Sequence, residues 1–148
     1  MKPTPFRMSI DLAPIPFGRD LCLAAKGLKE AGLLWRPHVG CFVWDELEII
    51  KPPSPFPERI YFVLNLGHFH RRFGTVENMV EKLVWLPTWH QARLIYKEMG
   101  TAESGAWDEV CASMAGPPGR ELLVMYKLIL EKLEEQQRKE VDARAKSD

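Results

Sequence analysis

Arg59-Ile60-Tyr61-Phe62-Val63-Leu64-Asn65 is the stretch on which the fold turns. From Ile60 to Leu64 every residue is aromatic, β-branched or aliphatic, the composition that suits a pleated, buried surface. It predicts a strand, apolar enough to be central in a sheet. Just before it, Lys51-Pro52-Pro53-Ser54-Pro55-Phe56-Pro57 carries four prolines. They remove ladder donors and fix φ, so this is a stiff loop. Further upstream, Val39, Cys41, Phe42, Val43 and Trp44 precede Asp45-Glu46 and then Leu47 to Ile50. That texture predicts two short strands joined by an acidic turn.

On either side of this region the apolar spacing becomes helical. Leu21, Ala24, Ala25, Leu28 and Ala31 recur at helical intervals after Asp20, an expected N-cap, and Gly32 supplies the stop. Thr75 opens a helix that carries Val76, Met79, Val80, Leu83 and Val84 and runs to about Leu86, before Pro87. Thr88-Trp89-His90-Gln91 is a capping box in front of another helix ending at Gly100. A further helix is expected around Ala106 to Met114, with Trp107, Val110, Cys111 and Met114 on one stripe. The last begins near Arg120, past the break at residues 116–119. Met8 to Leu12 reads as a short edge strand.

Strands grouped before a run of helices specify α+β, because a parallel sheet needs a crossover between each strand pair. The expected fold is a small antiparallel sheet of two or three strands, from about Val39 to Asn65. Several short helices and a long C-terminal helix pack against it. Residues 1–133 form a single α+β domain in this reading, and 134–148 a solvated, fraying helical tail. In that tail Glu134–Arg138, Glu135–Lys139, Glu140–Arg144 and Asp142–Lys146 each set an acid four residues before a base. Leu122 to Leu130 is apolar nearly all round, which requires burial on more than one side.

The chain has 148 residues, 46% of them hydrophobic and 27% charged, ordinary values for a globular domain. Twenty basic and twenty acidic residues cancel. A global field that attracts nucleic acid or anionic lipid is therefore absent, and any such binding needs a local patch. Cys22, Cys41 and Cys111 are an odd number without a C-x-x-C pair. They read as reduced thiols in the cytoplasm. No secretory leader and no run of roughly 18 to 20 apolar residues is present, so no membrane association is expected.

Three candidate sites emerge. In Gly67-His68-Phe69-His70-Arg71-Arg72-Phe73, His68 and His70 would share a face on a strand and hold a metal, but would diverge on a helix. Arg71 and Arg72, with Arg59 and Tyr61, form a candidate phosphate or nucleic-acid patch of guanidinium and aromatic groups. Trp85, Trp89 and Trp107 are candidates for a partner or ligand surface, set against the alternative that indoles fill core volume. His38 lies three residues from Cys41, yet on a strand the two face opposite sides. G-x-S-x-G, H-E-x-x-H, P-loop and G-x-G-x-x-G patterns are absent. The reading that follows is a non-enzymatic accessory or adaptor protein without a cofactor, working through a protein partner or as a homo-oligomer. A nucleic-acid-binding protein is the alternative, and a metal-dependent enzyme around H-x-H the third.

Overall fold

The first strand among the described residues occupies the middle of the sheet. The computed structural model describes residues 15–100, 104–117 and 119–147, so the expected strand at Met8 to Leu12 lies outside the described residues. Strand β1 (Phe42–Trp44) pairs antiparallel with β2 (Ile60–Phe62) on one side and β3 (Val84–Leu86) on the other. The order is β2-β1-β3. The Arg59–Asn65 stretch is thus an edge strand, not the central one. Its ladder continues past Phe62, since Val63 N–H donates to Cys41 O at 2.9 Å and Gly40 N–H to Val63 O at 2.8 Å.

Each face of the sheet has its own core, because alternate side chains of a strand point oppositely. On one face Trp44, Ile60, Val84 and Leu86 share a core with buried residues of α1 (Arg19–Glu30), which lies on β3, and of α4 (Trp89–Glu98), α5 (Ser104–Ser113) and α6 (Arg120–Ser147). On the other, Cys41, Val43, Tyr61 and Val63 meet Phe73 of α2 (Leu66–Phe73), Met79 of α3 (Val76–Lys82) and Leu83. The protein is α+β: six α-helices and a three-stranded antiparallel sheet among the described residues, with the longest helix at the C-terminal end.

Two strands differ from expectation, for physical reasons. Leu47 to Ile50 form no strand. They loop around Asp45, whose carboxylate accepts hydrogen bonds from Ile49 N–H at 3.0 Å and Ile50 N–H at 2.8 Å. The third strand comes instead from the expected last turn of the Thr75 helix. That helix starts as predicted, with the Thr75 hydroxyl accepting from Asn78 N–H, but stops at Lys82, and Leu83 is already extended. Pairing of Val84, Trp85 and Leu86 with β1 outweighs the continuing i,i+4 apolar pattern. The Lys29 ammonium, from α1, secures the break by donating to the carbonyls of Glu81 and Leu83, which the ended helix leaves unpaired.

The helix termini show which signals were local. Gly18, not Asp20, is the N-cap of α1, and Asp20 sits in its first turn. At α4 the capping box forms as read, with both Thr88 and Gln91 engaged. On α5 the expected stripe divides: Val110 is buried, whereas Cys111 and Met114 are exposed. Cys111 is therefore not a core thiol.

Helix α6 buries Leu122, Met125, Tyr126, Leu128, Ile129 and Leu133 against α1, α4 and α5. Beyond Leu133 its side chains are largely solvent-facing, although Gln137 Nε2 donates to Ala31 O at 2.7 Å. Of the acid-before-base pairs, Glu135–Lys139 closes at 3.1 Å, joined by Lys132 at 3.5 Å from Glu135.

Burial pushes the Cys22 thiol up to about 12 and the Tyr126 hydroxyl well above its usual range. Tyr126 also donates to Pro87 O. An unfolded chain ionises both groups at lower pH than the folded one does. Stability from these groups is complete below about pH 9, where an unfolded thiol is still protonated, and is lost as pH rises toward about 12. Urea melts across that range are expected to show this loss, with a shallower slope in Cys22→Ala. Thiol labelling gives a second check. Cys111 is expected to react in the folded protein, and the buried Cys22 and Cys41 only after unfolding.

Candidate functional site

Helix α2 decides between the chemistries open to the Gly67–Phe73 segment. Asn65 caps it by accepting from Gly67 N–H at 2.8 Å, and Gly74, at φ 78°, ends it in a conformation that favours glycine. Residues two apart on a helix diverge by about 200°. His68 and His70 therefore do not converge on one point. No group of three metal-ligating side chains is assembled among the described residues.

The same geometry gathers a different set. His68, Arg71 and Arg72 stand at i, i+3 and i+4, and Phe69 and Phe73 flank them. With Ile50 and Pro52 from the loop after β1, these side chains line a concavity of about 400 Å3. No lining residue is acidic. Arg71 Nε makes a long bond to Gly67 O at 3.4 Å, and neither Arg71 nor Arg72 forms an ion pair among the described residues. Placing these cations in the last turn of α2 suits the helix dipole, a structural benefit that does not require a ligand.

Arg59 and Tyr61 are not part of this open surface. Arg59 donates from Nη2 to Asp45 Oδ2 at 2.7 Å and to Ile50 O at 2.6 Å. The Asp45 carboxylate, fully buried, holds that guanidinium more firmly protonated than a free one. Tyr61 is buried and donates its hydroxyl to Pro52 O at 2.6 Å. Both residues thus grip the backbone of the concavity's other wall. Of the proposed four-residue patch, only Arg71 and Arg72 face solvent together.

The strain around this wall is concentrated. Glu48, Glu58 and Arg59 have φ of 55°, 61° and 60°, the non-glycine residues in the left-handed region among those described. Such conformations cost about 1–3 kcal/mol each and persist where the surroundings enforce them. Asp45 holds two of them, its carbonyl accepting from Glu48 N–H at 3.3 Å and its carboxylate from Arg59, whereas Glu58 pairs with Arg19 at 3.5 Å.

The tryptophans are not assembled into one surface. Trp85 stacks on Trp35 at 6.0 Å on the α2–α3 side of the sheet, and Trp89 packs against the opposite core. Trp107 lies beneath the Arg93 guanidinium, 5.4 Å from its ring centre. His90, Arg93, Leu94, Tyr96, Lys97 and Trp107 line a second concavity of about 350 Å3, in which that guanidinium is already engaged. His38 is held by the Arg36 carbonyl at 2.8 Å and the Gln91 side chain at 3.0 Å, and so is not turned to the Cys41 thiol.

Asp45, Ile50 and Pro52 escape sequence reasoning. An aspartate after a strand reads as a turn residue, and only the long-range bond to Arg59 distinguishes it. Set against protein-family models, curated proteins and solved structures, the chain matches none of them. No helix among the described residues is long and apolar enough to cross a membrane.

Proposed function

We propose that this chain is a small non-enzymatic accessory or adaptor protein that acts by protein–protein contact, with the groove between α2 and the Ile50–Pro52 loop as its docking face. One observation carries the reading: an apolar and aromatic concavity rimmed by two arginines that have no carboxylate partner among the described residues. A cytoplasmic location accords with three unpaired thiols. Nucleic-acid binding is the weaker reading, since the chain is neutral and Arg59 and Tyr61 are committed to Asp45 and Pro52.

Site-specific photocrosslinking in cells that make the protein tests this. A crosslinker at His68, exposed on the groove lining, is expected to trap a discrete protein, and Arg71→Glu with Arg72→Glu to abolish the adduct. A crosslinker at the exposed Lys139 serves as the control. Adducts with nucleic acid, or adducts indifferent to the charge reversal, would overturn the proposal.

A further inference from the structure

We infer that the occupant of the α2 groove is an acidic peptide segment carrying an apolar or aromatic anchor residue, and that Asp45, Arg59 and Tyr61 are positioning residues for it. The inference rests on the accessory-protein reading and specifies its partner.

The charge argument comes first. Arg71 and Arg72 project from one turn of α2 beside His68, and no acidic residue lines the groove. Guanidinium groups match carboxylate oxygens in paired, planar hydrogen bonds, so two arginines on one rim without a carboxylate partner among the described residues select an acidic stretch. Ile50, Pro52, Phe69 and Phe73 supply an apolar wall for a neighbouring side chain. A volume of about 400 Å3 holds a few side chains, which suits an extended segment better than a folded surface.

The second argument concerns the wall. Arg59 bonds Ile50 O, Tyr61 bonds Pro52 O, and Asp45 accepts from Ile50 N–H. Two consecutive proline rings, Pro52 and Pro53, stiffen the same stretch. The wall is thus fixed before anything binds, and a peptide need not order it, which favours affinity. A basic surface that merely kept the protein in solution would need no such bracing.

The test uses the purified full chain and a displayed library of random peptides, with recovered sequences resynthesised for titration. Recovered peptides are expected to combine Asp or Glu with an adjacent aromatic or aliphatic residue. Arg71→Ala and Arg72→Ala should each weaken them about tenfold, the size of one charge-assisted contact. Both variants should also flatten the loss of affinity with salt. Tyr61→Phe should weaken binding several-fold while leaving that salt dependence intact, the signature of positioning rather than contact. A phosphorylated version of the best peptide, run in parallel, shows whether a phosphoryl group replaces the carboxylates. Peptides that bind in the groove without acidic residues would overturn the inference and leave the accessory reading standing. Arginine variants that bind normally would overturn the inference and, with it, the docking face assigned to the accessory reading. Failure to recover any peptide, with an oligonucleotide bound through Arg71 and Arg72 instead, would overturn both.

Discussion

Ending the chain before Leu128 is expected to abolish the native fold, whereas ending it after Gln136 is expected to leave it nearly intact. The difference lies in which side chains leave the core. The shorter chain loses Leu128, Ile129 and Leu133, all buried in the core that α6 forms with α1, α4 and α5, and the half-buried Leu130. Each fully buried aliphatic side chain is worth roughly 1.5–3 kcal/mol. Losing several removes an amount comparable to the whole stability of such a domain, about 5–15 kcal/mol. The longer chain gives up solvent-facing side chains and the bond from Gln137 to Ala31 O. A single exposed hydrogen bond of that kind contributes about 1 kcal/mol. Denaturant melts at several protein concentrations measure both. A cost of several kcal/mol for the milder cut, or a midpoint that newly depends on concentration, would mean that residues 137–148 pack against a surface.

Arg59→Ala is expected to be the most damaging substitution of an exposed or half-exposed side chain, at about 3 kcal/mol. Asp45 is fully buried, and its carboxylate is balanced by Arg59 and two backbone N–H groups. Removing the cation leaves a buried charge uncompensated, which typically costs about 3–5 kcal/mol. Water reaches about a third of the Arg59 side chain, 34%, so the lower end applies. Because the cost belongs to the stranded charge, Arg59→Ala with Asp45→Asn is expected to be less destabilised than the sum of the two single variants. A double-mutant cycle from urea melts measures the coupling. Additive single effects would mean that the pair does not act as a unit.

These residues also mark the limit of what the sequence reveals. The capping box at Thr88 and the stop at Gly32 after α1 are legible because the groups that satisfy them lie within a few residues. The identity of β3 is not, because Val80, Leu83 and Val84 continue a helical stripe and only β1, some forty residues earlier, offers the competing ladder. The prolines marked a stretch without strand or helix from Lys51 to Phe56, yet nothing local announced that Arg59 and Tyr61 would turn inward to hold it. Of the candidate site, Arg71 and Arg72 were visible as a basic pair. Their apolar counterpart, Ile50 and Pro52, required the fold.

The two faces of the sheet differ in how far apart along the chain their partners lie. The core under α2 and α3 draws its buried residues from Cys41 to Leu83, whereas the opposite core spans Ile15 to Leu133. During synthesis, the groove-bearing half of the molecule can therefore consolidate while α6 is still within the ribosome. The other half must leave the apolar faces of α1 and α4 uncovered until the last helix emerges. Local contacts form faster than distant ones, and surface exposed in that interval is where aggregation begins. In refolding followed by pulsed hydrogen exchange, amides of β1 and β2 are expected to gain protection before those of α6. The same vulnerability makes the closing helix, rather than the docking face, the part of this chain that a chaperone would have the most reason to shield.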